Sequence, residues 1–417
     1  MATGLRFAMV TTFYPPYHFG GDGSAVRRLA HALARRGHRV DVIHDIDAFR
    51  TLGGRADPEP LSEPDGVRVH GLRSPLGLIS CVATQQLGRP LVHGRTIRKI
   101  LGEGFDVIHF HNISLVGGPT VFSCGAGIKL YTAHEHWLVC PTHVLWRHNR
   151  EVCTGRECLR CVARYRRPPQ IWRSTSLLRR QSEHVDAFLT LSHFSAQKHA
   201  EFGFDRPLTV IPPFLLEAEA DIASEASPAP AAPVPPYFLF VGRLELIKGL
   251  QDVIPLFAGD GETEIWIAGS GSYESRLRQL AGSGRRVRFL GQQPPDRLRQ
   301  LYRDAIALVV PSVSYEVFPT VVLEAFREGT PIVARRLGPF PEIVERSGGG
   351  LLFTTPDDLR RSLSSLAADR RLRDNLGDAA ERAFKALWSE PVAMERYLDV
   401  IRDIARRRHL DRVLQRV

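Results

Sequence analysis

The chain has no run of eighteen apolar residues, so no membrane-crossing helix is expected in its 417 residues. It shows no secretory leader either. Leu5 to Val10 is a short apolar run that passes straight into a Gly/Pro loop. That reads as a first strand and sets the expectation of a cytoplasmic protein. Gly-x-Gly-x-x-Gly is absent, which removes the dinucleotide fingerprint, and His-Glu-x-x-His is absent, which removes the zinc-protease helix. No internal repeat of solenoid length occurs. The single Asp-x-Asp, Asp45-Ile46-Asp47, follows a strand and reads as a surface loop rather than a metal motif. Aromatic residues are sparse among the cations, with Tyr165 and Trp172 alone between Arg147 and Arg180, which argues against nucleic acid as a partner.

What is present is an uneven positive charge. The net charge is +10. Residues 1–216 hold 27 Lys and Arg against 17 Asp and Glu, and residues 217–417 hold 28 against 28, so the excess belongs to the first half. It is densest from Arg147 to Arg180, where ten Arg face Glu151 and Glu157. Such a region attracts phosphates on a lipid surface or a charged substrate, or is simply a solvated face.

Apolar runs of strand length alternate with segments of helical spacing along the whole chain, the rhythm of doubly wound parallel sheets. In the first half, Val26, Leu29, Ala30 and Leu33 mark a helix that ends at Gly37 and is preceded by the turn Gly20-Gly21. Strands over 106–111 and 129–133 end in His111 and in His134-Glu135-His136. Polar groups at the carboxyl ends of parallel strands are where open α/β sheets bind ligands. One helix is expected over 171–185. Residues 217–236, rich in Ala and Pro, read as a linker between domains. A second α/β domain then runs over 237–390, and 391–417 forms a terminal helix.

Cys140, Cys153, Cys158 and Cys161 put four of the six cysteines within 22 residues, in an insertion at about 137–168. Their spacing suits a structural zinc; buried thiols, disulfides and an iron–sulfur cluster stay open as alternatives. Any metal there braces the insertion and takes no part in chemistry.

In the second half, Gly242 and Arg243 follow a strand and Lys248 lies five residues beyond Arg243. A planar fork and a mobile point charge at a strand's carboxyl end suit phosphate oxygens. A strand ending at Val310 leads to Glu316 in a turn, then to Pro319 and a helix carrying Glu324. A helix start attracts anions, so two carboxylates here suit hydroxyl groups beside an anion.

The ordered motifs Val241-Gly242-Arg243-Leu244, Lys248-Gly249, Ala268-Gly269-Ser270-Gly271, Phe289-Leu290-Gly291, Pro311-Ser312, Glu316-Val317-Phe318-Pro319, Leu323-Glu324-Ala325 and Gly329-Thr330-Pro331 resemble the donor-binding half of glycosyltransferase family 4. Gly20-Gly21, Arg36-Gly37-His38 and Thr132-Ala133-His134-Glu135 agree with the first half of that family, and the similarity covers nearly the whole chain. The resemblance implies the α/β GT-B fold, two facing Rossmann-like domains with a cleft between them. It implies a retaining transfer of sugar from a nucleotide-diphosphate sugar to an acceptor hydroxyl, with no metal needed for the chemistry. The product implied is a cell-envelope polysaccharide, a glycolipid or a secondary-metabolite glycoside. By matched position, Arg243 and Lys248 hold the diphosphate, Glu316 the sugar hydroxyls and Glu324 the ribose. Gly242, Gly269, Leu290, Val317, Phe318 and Thr320 line the donor. Gly21 lets the backbone close on the phosphates, and His134 sits beside the reacting sugar. His111, Glu135 and His136 fall on the acceptor side. The basic first half then implies an anionic or lipid-linked acceptor, or peripheral contact with the inner face of the membrane. Val317 stands where the family often has Gly, and Glu135 where it usually has Asp; the cysteine insertion resembles only a subset. An epimerase of the same fold and a non-catalytic sugar-nucleotide-binding protein are the alternatives.

Overall fold

The computed structural model describes residues 4–54, 58–216 and 235–417. All but the last two residues of the 217–236 linker reading therefore lie outside the described residues. The chain divides into two compact units, one of residues 1–213 with 393–417, the other of residues 214–392.

Unit 1 is built on β1 (Arg6–Val10), β2 (Arg39–Asp45), β3 (Val67–Leu72), β4 (Val107–Phe110), β5 (Ile128–Ala133), β8 (Ala187–Thr190) and β9 (Leu208–Val210). The small strands β6 (Trp146–Arg147) and β7 (Glu151–Val152) form a separate hairpin. The main sheet is parallel, in the order β3-β2-β1-β4-β5-β8-β9. Both faces of its central strands are covered, so β1, β4 and β5 are buried and largely apolar, interrupted by buried His109 in β4 and by Lys129 and Thr132 in β5. Helix α1 (Gly21–Arg35) buries Val26, Leu29, Ala30 and Leu33, the stripe expected from its spacing. The order reverses between β1 and β4, and that switch point is where such sheets open a ligand crevice at the strands' carboxyl ends.

Unit 2 repeats the plan with β10 (Tyr237–Val241), β11 (Glu264–Ala268), β12 (Val287–Gly291), β13 (Leu308–Val310), β14 (Ile332–Arg335) and β15 (Gly350–Phe353). Their order is β12-β11-β10-β13-β14-β15, all parallel, with the switch point between β10 and β13. Each unit has its own apolar core.

Two local expectations change and a third is refined. The helix expected over 171–185 is two pieces, a 3-10 turn Ile171–Ser174 and a helix Leu177–Ser182. Thr175 separates them: its Oγ1 donates to the Trp172 carbonyl at 2.7 Å and accepts from the Leu177 N–H at 3.1 Å. A hydroxyl that satisfies backbone groups locally competes with helix continuation. The tail does break beside Pro391, at Ser389, which is extended; Pro391 itself lies in the first turn of the helix Glu390–Arg407 that starts there, where its missing N–H costs nothing. Asp45-Ile46-Asp47 is not a surface loop. Both carboxylates are buried, and Asp45 caps the helix α2 (Ile46–Thr51) by accepting from the Ala48 N–H at 3.1 Å.

Candidate functional site

The site of unit 2 grows from the two loops that leave its switch point. After β10, Gly242 takes φ +151, and Leu244 N–H donates to the Ser270 carbonyl at 2.9 Å, tying this loop to the one after β11. Gly269 sits at φ +137, and a Cβ there would lie 2.0 Å from the Gly242 carbonyl oxygen. The two loops therefore approach through bare backbone. A 3-10 turn, Leu246–Lys248, follows and ends on Gly249 in the left-handed region. A Cβ on Gly249 would meet the Pro311 carbonyl oxygen at 1.9 Å, so the β10 loop also lies directly on the β13 loop.

That packing delivers Lys248 to Glu316. Lys248 Nζ stands 2.6 Å from Glu316 Oε1, and the same oxygen accepts from Ser312 Oγ at 2.9 Å. Burial pushes the Glu316 carboxyl up, but the Lys248 charge, its hydrogen bond and that of Ser312 outweigh it and hold the group below the ordinary carboxylate value. Glu316 is thus a paired carboxylate, not a stored acid. Arg243 pairs with Glu245, Nη1 to Oε1 at 2.7 Å, and its side chain is about half exposed. Its charge still reaches Glu316 and lowers that pKa further.

Beyond Glu316 the chain turns into the helix Thr320–Arg327, capped by the Pro319 backbone. Val317 and Phe318 are buried, the Phe318 ring lying 6.0 Å from that of Trp388, so these residues present backbone rather than side chain to the loop surface. Glu324 Oε2 accepts from Tyr302 Oη at 2.8 Å, which fixes the carboxylate on the helix face. The Leu290 carbonyl accepts from Gln293 Nε2 at 2.6 Å. Tyr302 is the positioning residue here that motif reading passed over; nothing local marks it, since it acts on Glu324 from 22 positions away. Ser312, already part of the Pro311-Ser312 motif, acts on Glu316 four residues further on.

Unit 1 gathers a second polar set at its own switch point. The imidazoles of His111 and His134 meet at 2.9 Å, Nδ1 to Nε2, and the His109 ring centroid lies 3.9 Å from that of His111. Burial lowers the pKa of all three, more than the carboxylates of Asp22 and Glu135 offset at His134. They are neutral imidazoles at neutral pH. Asn112 Nδ2 donates to Asp22 Oδ2 at 3.0 Å, joining the end of β4 to the first turn of α1 beside Gly21. His136 does not join this set. Its side chain is buried against the His199 ring at 5.3 Å, because the chain turns inward after His134. Glu135 turns toward the cysteine-bearing lobe, its Oε1 2.8 Å from His143 Nδ1. His136 thus stands apart from His111 and His134, whereas the Glu135 carboxylate, though paired with His143, still acts on His134.

Two groups could hold a metal. Among the described residues, Asp45, Asp47 and His93 are the set whose ligand atoms all lie within 4.8 Å of one another. There His93 Nε2 already pairs with Asp47 Oδ2 at 3.0 Å, and Asp47 Oδ2 accepts from the Ser74 N–H at 2.9 Å, so an internal ion pair accounts for most of it. Cys140, Cys153, Cys158 and Cys161 line one shared pocket, with their sulfurs wider apart than that spacing.

The ten-arginine stretch is partly consumed within the lobe. Arg147 pairs with Glu151 and Glu157 at 2.7 and 3.3 Å. Arg173 is laid over Trp172 and bonded to the carbonyls of Trp137 and Leu138.

Residues 224–383 match the family described as glycosyl transferases group 1, and residues 19–215 match glycosyltransferase family 4. An uncharacterized glycosyltransferase of Methanocaldococcus jannaschii is 26% identical over 405 residues, 91% of this chain and 93% of that protein. The D-inositol 3-phosphate glycosyltransferase of Corynebacterium jeikeium is 37% identical over 166 residues, 36% of this chain and only 39% of that enzyme. Among solved structures, a sucrose-phosphate synthase from Thermosynechococcus elongatus superposes with a TM-score of 0.70 at 21% identity, covering 96% of this chain and 99% of that one. The Anabaena protein HepE in complex with UDP-glucose superposes with a TM-score of 0.65 at 16% identity, over 96% and 100% of the two chains.

Proposed function

Because this chain belongs to the glycosyltransferases, group 1 through its second half and family 4 through its first, we propose that it transfers a sugar from a nucleotide-diphosphate donor to an acceptor hydroxyl with retention of anomeric configuration. The observation that carries the donor reading is the ion pair of Lys248 and Glu316 across the switch point of unit 2, 2.6 Å long. Departure of the nucleoside diphosphate leaves negative charge on the phosphate oxygens. Preorganised donors aimed at developing charge are the largest single contribution such sites make. An ammonium has three N–H donors; Glu316 takes one, and the others suit phosphate oxygens. Arg243 adds a second cation, and the N–H groups at the start of Thr320–Arg327 add a helix terminus. These cations take the role a divalent ion would otherwise fill, so catalysis needs no added Mg²⁺. Glu316, charged and paired, accepts from donor-sugar hydroxyls. Glu324, held by Tyr302, accepts from the ribose.

UDP-glucose bound to the structurally similar HepE supports a nucleotide-sugar donor. The acceptor side draws on His134, His111 and Asp22 at the switch point of unit 1, where a neutral imidazole can orient a hydroxyl. The positive charge of that half favours an anionic or lipid-linked acceptor. Peripheral membrane contact belongs to the same reading. Leu76, Leu78, Ile79 and Leu91 are 53%, 64%, 60% and 61% exposed, and exposed Arg73, Arg89, Arg95, Arg98 and Lys99 border them in sequence. No described helix is long and apolar enough to cross a membrane, so any contact through this face is superficial.

Incubation with UDP-, GDP- and ADP-linked sugars, without acceptor or divalent metal, tests the reading. One donor should release its nucleoside diphosphate slowly, and that release should fall at least about 100-fold in Lys248→Ala, the loss typical of one electrostatic donor. Absence of turnover with every donor, together with nucleotide binding unchanged in Lys248→Ala, would sink it.

A further inference from the structure

The insertion that carries four cysteines has little regular secondary structure of its own. Between His136 and Gln170 it forms the two-residue strands β6 and β7 and one helix, α5 (Cys158–Arg164). Five of the six non-glycine residues at positive φ in the described chain lie here: His143, Leu145, His148, Asn149 and Arg166. Backbone in that region persists only where its surroundings hold it.

The surroundings converge on sulfur. Cys140 enters from the loop after β5, Cys153 leaves the end of β7, and Cys158 and Cys161 sit one turn apart on α5. Residues three apart share a helix face, so the last pair offers a two-point bite. All four thiols, with Leu145 and Trp146, line one pocket. The hairpin turn at His148 and Asn149 brings the His148 N–H to Cys161 Sγ at 3.3 Å, and Cys140 Sγ lies 3.3 Å from Thr142 Oγ1. The His148 N–H at Cys161 Sγ is the donor here that favours a thiolate; Cys153 Sγ instead donates to the Gly155 carbonyl at 3.2 Å. Arg147, Arg156 and Arg173 add positive charge toward the same thiols. A tetrathiolate around Zn²⁺ carries a net charge of −2, which such cations offset. No bond among the six cysteines competes, since all are reduced.

We propose that Cys140, Cys153, Cys158 and Cys161 bind one structural zinc ion that fixes this lobe. Four thiols lose four protons and one Zn²⁺ takes their place, giving a four-coordinate thiolate complex with no change of oxidation state. Zn–S bonds of about 2.3 Å would draw the sulfurs inward to roughly 4 Å from one another. The ion sits apart from the polar set around His134 but acts on the same segment. Glu135 pairs with His143 at 2.8 Å, and the His136 N–H donates to the His143 carbonyl at 2.9 Å, so the lobe anchors the chain just beyond His134.

Elemental analysis of the purified full chain should find one zinc per molecule, absent from the Cys158→Ser/Cys161→Ser double variant and retained in Cys81→Ser. Because the double variant can misfold, the wild-type protein is also exchanged with Co²⁺. A tetrahedral thiolate complex then gives intense visible and near-ultraviolet bands, and titration with Zn²⁺ abolishes them. Six titratable thiols with neither zinc bound nor a cobalt spectrum would overturn the proposal. So would iron with inorganic sulfide, or a disulfide between any two of the four.

Discussion

Lys248 and Glu316 are 68 positions apart in sequence and 2.6 Å apart in the fold. With side chains 22% and 18% exposed, they are buried enough for the pair to matter and open enough for a ligand to share it. Removing Lys248 leaves Glu316 with only the Ser312 bond shown here, and removing Glu316 leaves a cation unpaired. A double-mutant cycle of Lys248→Ala and Glu316→Gln should therefore give a coupling of about 1–3 kcal/mol in denaturant unfolding of unit 2. A coupling indistinguishable from zero would mean the pair does not persist in solution. The pH dependence has a fixed sign. The folded Glu316 pKa lies below its ordinary 4.5, so the unfolded state binds more protons across that window. The stabilisation is complete above 4.5 and is lost as pH falls through the folded value. At the same scale, Val317 explains its own departure from the family pattern. Its side chain is buried beside buried Phe318, so the extra bulk is taken up by the interior.

Elements show where periodicity suffices and where it does not. The strands β1, β10, β11 and β13 are legible because burial on both faces demands nearly continuous apolar runs, and β4 and β5 stay legible despite His109, Lys129 and Thr132. The broken helix at Thr175 and the 3-10 turn at Lys248 are not, because a hydroxyl in the first and a close backbone contact in the second decide the matter. Helix α3 (Gly77–Leu87), followed in the chain by α4 (Gly94–Leu101) with its Arg98 and Lys99, is the element on which membrane contact depends. Leu78 and Ile79 lie on it exposed. Leu78→Ser/Ile79→Ser should weaken binding to vesicles containing anionic lipid by about tenfold, as expected for losing two apolar anchors, without lowering the melting midpoint. Equal sedimentation of variant and wild type, or binding indifferent to anionic lipid, would remove membrane docking from the functional reading.

The molecule as a whole divides its titratable groups unevenly. All sixteen histidines lie outside residues 214–392 and so belong to unit 1. Burial lowers His44 and His199 from 6.5 to about 4, and lowers His109, His111 and His136 well below 6.5. Between those values the unfolded chain binds protons that the folded unit does not, so stability falls as pH drops from 6.5 toward 4. His38 and His134 are lowered by burial as well, so Asp45, raised by burial to about 6, works in the opposite direction as one group against seven. Calorimetry at pH 7 and at about pH 5 should show the transition of unit 1 shifting down well before that of unit 2, identified by its shift with nucleotide. Parallel movement of both transitions would contradict this division.

The sequence by itself determined the alternation of strands and helices, the two α/β units, the cations and carboxylates at the switch point of unit 2, and the grouping of four cysteines. All of these follow from local periodicity, turn chemistry and motif order, which depend on near neighbours. Only the tertiary structure decided what those residues do to one another. It joined Lys248 to Glu316 through loops that only glycine allows to touch, and Asp22 to Asn112 across 90 positions. It placed Tyr397 Oη 3.0 Å from His109 across 288 positions, turned His136 inward, and made Asp45 and Asp47 interior. These contacts depend on strand order and loop closure in space, and no window of residues along the chain contains that information.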